Sequence, residues 1–243
     1  MKVIVVENYE EASKEGANII INQVKNKPDS ILGLATGTTP IGLYELLIKD
    51  HQENKTSYQG VKTFNLDEYI GLANDHPQSY HYFMNEHLFK NIDIDPSNVH
   101  VPNGLGNVQE CCDEYNDMLS KNTIDLQLLG IGSNGHIGFN EPGTPFDSVT
   151  SCIDLKESTI NDNARLFFNG NKAEVPTQAI SMGIKNILNA KKIILMACGE
   201  NKAKPIKALV EGTPTTDVPA TALQNHNDVI IIVDKAAASL LNK

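Results

Sequence analysis

The chain has 243 residues, 40% of them hydrophobic and 21% charged, a composition that suits one folded α/β domain and excludes a disordered or fibrous chain. Its net charge of −10 and pI of about 5.1 exclude a nucleic-acid surface, which needs a basic footprint. They do not exclude one small phosphate, because helix N-terminal N–H groups and a few local cations can hold an anion inside an acidic protein.

In chain order, the pattern predicts strands over Val3–Val6, Ile31–Ala35, Val61–Leu66, Asn98–Val101, Ile124–Gly130, Ile193–Cys198 and Val229–Asp234. Most are continuous apolar runs, as expected of strands buried on both faces of a mostly parallel sheet. Helices are predicted over Tyr9–Lys25, Ile41–Lys49, Ser79–Phe89, Gln109–Ser120, Lys202–Leu209 and Lys235–Leu241. This alternation defines a doubly wound, Rossmann-like α/β domain spanning 1–243, with helices on both faces of the sheet. One stretch, Pro142–Thr177, reads as irregular, with a short apolar patch at Leu166–Phe168. So long a loop in a compact domain is usually functional or mobile, and a lid over residues 143–177 is expected, the alternative being an extra hairpin or helix packed on the edge. The four cysteines show no CxxC or Cys/His spacing, so reduced thiols and no metal site are expected. The first residues lack a signal-peptide layout and no apolar run nears the ~20 residues of a membrane span, so a cytoplasmic protein with no membrane or nucleic-acid partner is expected.

In open α/β sheets ligands bind beyond the carboxyl ends of the strands. Polar, glycine-rich segments follow four predicted strands: Thr36–Pro40, Asn65–Tyr69, Gly130–Gly143 and Cys198–Ala203. Gly37 permits a turn, Thr38 and Thr39 supply hydroxyls, and Pro40 suits the start of a helix whose free N–H groups can face an anion. The GK[ST] ending of a nucleotide-triphosphate loop is missing, which leaves a single phosphate as the natural ligand. An ordinary helix cap is the plain alternative. Arg165 is the only arginine among 20 cationic residues, which points to a place where a planar, bidentate fork is wanted. Lys202 opens a predicted helix, where a cation opposes the helix dipole unless an anion sits there. Asp67 is placed to move a proton next to a carbonyl or imine. His136 lies between glycines, with Glu141 five residues on, and a carboxylate there would orient the ring and favour its charged form. Glu68 reads as a support for Asp67. His76, His81 and His87 read as surface or packing residues, with His76 the one nearest the site.

Together Thr36–Pro40, the Asn-Leu-Asp-Glu-Tyr block at 65–69, the Gly-His-Ile-Gly-Phe-Asn-Glu-Pro block at 135–142 and Gly199–Ala203 resemble the glucosamine-6-phosphate deaminase family, nearly end to end and in the same order. The resemblance implies conversion of glucosamine 6-phosphate and water to fructose 6-phosphate and ammonia in amino-sugar breakdown, without metal or organic cofactor. It implies an aldose–ketose isomerisation coupled to deamination, classed as C–N bond hydrolysis. His136 would open the sugar ring, supported by Glu141 and Asn134, and Asp67 would carry the proton between C2 and C1. Gly37, Thr38, Thr39, Arg165 and Lys202 would hold the phosphate. Asn134 departs from members that carry Asp there, so Glu141 would supply the charge beside His136. The stretch 148–154 lacks the cations of the allosteric hexamers, so a monomer or homodimer is expected. A 6-phosphogluconolactonase, a galactosamine-6-phosphate enzyme and a non-catalytic sugar-phosphate sensor are the rival readings.

Overall fold

The computed structural model describes residues 1–242, the side chains of 158, 162, 166 and 167 excepted. The first half of the chain runs β1 (Lys2–Val6), α1 (Tyr9–Asn26), β2 (Ile31–Leu34), α2 (Ile41–Asn54), β3 (Lys62–Asn65), β4 (Asp67–Tyr69), α3 (Tyr80–His87), β5 (Val99–His100), α4 (Val108–Lys121) and β6 (Leu126–Leu129). The second half runs β7 (Ser151–Asp154), α5 (Glu157–Phe167), β8 (Gln178–Ser181), α6 (Ile184–Leu188), β9 (Ile193–Ala197), α7 (Ala203–Glu211) and β10 (Val229–Asp234).

Seven strands form one sheet in the order β1-β10-β9-β6-β2-β3-β5, and every neighbouring pair is parallel. The chain steps from β2 to β3 to β5 in one direction and from β6 to β9 to β10 in the other. Right-handed crossovers that advance in opposite directions put their helices on opposite faces, which is the doubly wound arrangement expected. The reversal falls between β2 and β6, whose carboxyl ends lie side by side. At the centre, β9 is buried along its whole length, as a strand covered on both faces must be. The helices start where the sequence supplies caps. Asn8 accepts from the Glu11 N–H, Ser79 from the Tyr82 N–H, and Asn107 from the Gln109 and Glu110 N–H groups.

A second sheet corrects the sequence reading. Its strands β4, β8 and β7 are antiparallel, with Asp67 opposite Ser181 and Ser151 opposite Ser181 on the other side. The stretch 142–177 therefore holds a strand and an 11-residue helix, β7 and α5, not an irregular loop. Their polar sequences hid them: β7 alternates half-buried and exposed residues, and α5 is rich in Asn, Ser and Thr. Of the apolar patch at 166–168, Phe168 is buried, while the side chains of Leu166 and Phe167 lie outside those described. The helix predicted over Lys235–Leu241 is instead a run of turns. A single four-residue bond, Ala238 N–H to the Asp234 carbonyl, opens it; the later bonds, from Ser239 to Ala236 and from Leu241 to Ala238, reach back three residues, and Asp234 takes the Ala237 N–H with its side chain. Among the described residues no helix is long and apolar enough to cross a membrane.

Candidate active site

A cavity of about 580 Å³ opens at the β2–β6 switch point, where such sheets bind ligands. It collects residues from distant parts of the chain: Thr36–Thr39 after β2, Asp67 on β4, Tyr80 on α3, Gly130–Ser133 and His136 after β6, Thr159, Asn163 and Arg165 on α5, and Cys198 and Lys202 after β9. A second groove of about 520 Å³, reached from Thr123 and Ile124 before β6 and from Asn189 and Ala190 before β9, is lined by no ionisable side chain. Acid–base chemistry therefore belongs to the first.

The turn after β2 takes its shape from Gly37, whose φ of 89° falls in the left-handed region that glycine adopts without strain. Pro40 stands at the N-cap of α2 and has no side chain to cap it. Tyr9 on α1 braces this turn: its hydroxyl donates to the Thr38 carbonyl at 3.2 Å and accepts from the Gly42 N–H at 2.8 Å. Thr38 is exposed at the mouth of the cavity. Lys202 ends a 3-10 turn over Glu200–Lys202 and stands at the N-cap of α7. The Gly199 N–H beside it is anchored by both carboxylate oxygens of Asp234 at 3.1 Å.

Asp67 is only 7% exposed, and its carboxylate accepts no hydrogen bond among the described residues. Burial, and then the charge of Glu68, push its pKa up to about 8. Glu68 lies on the opposite side of β4 and is fully engaged. It accepts from the Tyr69, Tyr80 and His81 N–H groups and contacts the His81 ring at 3.0 Å. His81 is thus the hydrogen-bonding partner of a buried carboxylate, not a surface residue. His76 is exposed and stays outside the cavity lining, where its Nδ1 accepts from the Gln78 N–H. His87 packs its ring on Phe83 at 4.4 Å.

The loop after β6 is folded tightly by Gly132 N–H to His136 C=O and Gly135 N–H to Gly132 C=O bonds. The His136 ring lies directly over Gly132, where a Cβ would stand 2.3 Å from Cε1, so no larger residue fits beneath it. Behind the ring is Glu141, 5% exposed, its Oε1 3.6 Å from His136 Nδ1. That contact is too long for a hydrogen bond, and Nδ1 is buried with no hydrogen-bond partner among the described residues. Two other groups fix the carboxylate: Asn134 Nδ2 donates to Oε2 at 2.7 Å and the Thr159 hydroxyl donates to Oε1. Burial works against ionisation, but His136, Thr159 and Asn134 outweigh it and hold Glu141 at about 2. Asn134 does not bond the imidazole; its Oδ1 accepts from the His136 backbone N–H at 3.2 Å, so it orients the carboxylate and the loop.

Of the residues selected from sequence, Gly37, Thr38, Thr39, Asp67, His136, Arg165 and Lys202 share one cavity, and Asn134 and Glu141 stand behind His136. Sequence reasoning missed Tyr9, Tyr80, Thr159 and Asn163. The last two lie in the polar stretch read as irregular, and their own four-residue spacing, about one helical turn, is the signal that could have placed them together.

Fold and site together define a doubly wound α/β protein with a proton-handling cleft at the switch point of its parallel sheet. A family model described as glucosamine-6-phosphate isomerases/6-phosphogluconolactonase matches residues 7–232, and the chain belongs to that family. A relative from Clostridium botulinum named glucosamine-6-phosphate deaminase is 51% identical over 99% of this chain and 99% of its own. A solved structure of a monomeric glucosamine-6-phosphate deaminase is 47% identical, covers 99% of this chain and 100% of its own, and superposes with a TM-score of 0.96. A 6-phosphogluconolactonase from Trypanosoma cruzi shares the fold alone, at 19% identity and a TM-score of 0.80 over 100% of this chain and 97% of its own. The family description speaks of isomerases and the nearer relatives are named deaminases. The C–N hydrolase class expected from the resemblance gains no support from either.

Proposed function

We propose that the chain acts on glucosamine 6-phosphate, isomerising and deaminating it to fructose 6-phosphate and ammonia in amino-sugar breakdown. One observation carries the reading: a buried carboxylate with its pKa raised to about 8 and a histidine backed by Glu141 face a single cavity that also contains the Gly37–Thr39 turn, Arg165 and Lys202. Gly37, Thr38, Thr39, Arg165 and Lys202 hold the phosphate, which fixes the sugar for reaction. His136, backed by Glu141 and Asn134, takes the proton from the C1 hydroxyl as the C1–ring oxygen bond breaks and passes it to that oxygen, which becomes the C5 hydroxyl. Asp67 then removes the C2 proton, leaving an enolamine, and returns a proton to C1. The resulting C2 imine takes up water and expels ammonia, so C–N hydrolysis follows an isomerisation. No cofactor enters this sequence of steps.

The segment 143–177 acts as a lid within one domain over 1–243, the reading supported by Thr159, Asn163 and Arg165 reaching the cavity from α5. The protein works in the cytoplasm as a monomer or homodimer, a state supported by the monomeric relative. The test is ammonia release from purified protein without added metal or cofactor, with galactosamine 6-phosphate and 6-phosphogluconolactone run alongside. Ammonia and fructose 6-phosphate appearing together from glucosamine 6-phosphate alone support the assignment. Turnover of a companion substrate only would overturn it.

A further inference from the structure

On the lid helix, the Thr159 hydroxyl donates to Glu141 Oε1, the same oxygen that faces His136 Nδ1 at 3.6 Å. Oε2 is held from the other side by Asn134. The carboxylate is therefore pinned between a loop residue and a helix residue, and among the described residues His136 Nδ1 is buried without a hydrogen-bond partner. Two further contacts tie α5 to the same region: Lys156 Nζ donates to the Pro142 carbonyl at 3.0 Å, and Asn163 Nδ2 donates to the Tyr69 hydroxyl at 2.7 Å. Tyr69 also packs against Phe168, at the end of α5, with ring centroids 6.1 Å apart.

We infer that Thr159 is a positioning residue that holds Glu141 off His136, so that the seat of the lid helix sets how strongly the His–Glu pair couples. The inference rests on the assignment of His136 and Glu141 given above. With the Thr159 hydroxyl removed, Oε1 loses its only uncharged partner, and the carboxylate turns about its Asn134 bond toward the nearest donor, His136 Nδ1. A closer carboxylate favours the imidazolium. The lid thus acts on the chemistry as well as on access: when α5 is seated, the histidine is left free to take a proton, and when α5 lifts, Glu141 claims it.

Other charges near the pair do not change in this comparison. Asp67, Arg165, Lys202, Tyr80 and Cys198 line the same cavity, and Lys156 lies beside Pro142.

The experiment is a nuclear magnetic resonance titration of the His136 ring in wild type, Thr159→Val and Thr159→Ser, with the pH profile of kcat/KM measured on the same samples. In Thr159→Val the His136 midpoint moves up by about 0.5–1 pH unit, a roughly three- to tenfold change in the proton equilibrium. In the same variant kcat falls more than KM rises, while the acid limb of kcat/KM, set by Asp67, stays in place. Thr159→Ser keeps the hydroxyl and restores the wild-type values. An unmoved midpoint in Thr159→Val, or an equal displacement in Thr159→Ser, would overturn the inference. A simple loss of lid packing raises KM and leaves the titration where it was, which also counts against it. Because the titration needs no turnover, a wild-type protein inactive on glucosamine 6-phosphate would count against the proposed function and leave this inference to be decided by the midpoint alone.

Discussion

Replacing Asp67 by Asn should stabilise the protein while removing its activity, and the gain should grow with pH. The native carboxyl has its pKa raised from an ordinary 3.8 to about 8, first by burial and then by Glu68. The native state therefore binds this proton more tightly than the unfolded chain. Between pH ~4 and ~8 the unfolded chain has released the proton and the native state has not. Stability falls across that window by about 1.4 kcal/mol per pH unit and stops falling above pH ~8. Over the whole window that is roughly 6 kcal/mol, an upper figure because water and side chains relax around a buried charge. Asn has nearly the shape of the protonated acid and no proton to lose. Urea unfolding of wild type and Asp67→Asn at pH 5, 6, 7, 8 and 9 should give curves that diverge steadily up to pH 8 and then run parallel. Turnover in the variant should drop by ~10²–10⁴-fold at every pH, while phosphate binding is kept. Parallel stability curves from pH 5 to pH 8 would refute the claim that Asp67 is buried uncompensated.

The opposite sign is expected at Glu141. Its pKa, normally near 4.5, is held at about 2, so its contribution is fully present above pH ~4.5 and lost as pH falls toward 2. Glu141→Gln should then destabilise the protein by about 1–3 kcal/mol at pH 7, with the difference from wild type shrinking in urea titrations as the pH is lowered below 4. Tyr9→Phe deletes the hydroxyl that joins Thr38 to Gly42. It should cost about 1 kcal/mol of stability and raise KM for the phosphorylated sugar several-fold with kcat nearly unchanged, measured by ammonia release at saturating and limiting substrate.

The large sheet was legible because its strands are buried on both faces and read as unbroken apolar runs, as at Ile193–Ala197 and Val229–Asp234. The loops after them were legible for the same reason: a cluster such as Thr36–Pro40 stands out against apolar neighbours. The small antiparallel sheet was not. Its strand β4 is only three residues long and follows β3 after a single residue, so it merges with that strand in any pattern read along the chain. What separates them is tertiary pairing with Ala179–Ser181, more than a hundred residues away. Helix α5 was missed because its Asn, Ser and Thr residues match loop composition, while their polar groups are spent on Glu141 and Tyr69. Composition shows that a side chain is polar; it does not show that it has a buried partner.

The two carboxylates of the site make the general point. Asp67 and Glu141 are almost equally hidden from solvent, at 7% and 5% exposure. Burial pushes both toward the neutral form, yet one ends near 8 and the other near 2. The difference lies in what surrounds them. Glu141 has an amide, a hydroxyl and an imidazole turned toward it, whereas Asp67 has a like charge next to it on β4 and no donor among the described residues. One carboxyl is thereby kept ionised beside a histidine, and the other can gain and lose a proton near neutral pH, the division of labour that the proposed aldose–ketose proton transfer requires. Introducing a hydrogen-bond donor beside Asp67, for example by Gly138→Ser, should lower its pKa and move the acid limb of kcat to lower pH, though the φ of 57° at Gly138 adds some strain to the turn. A profile that stays where it is would mean that Asp67 does not carry the titrating proton.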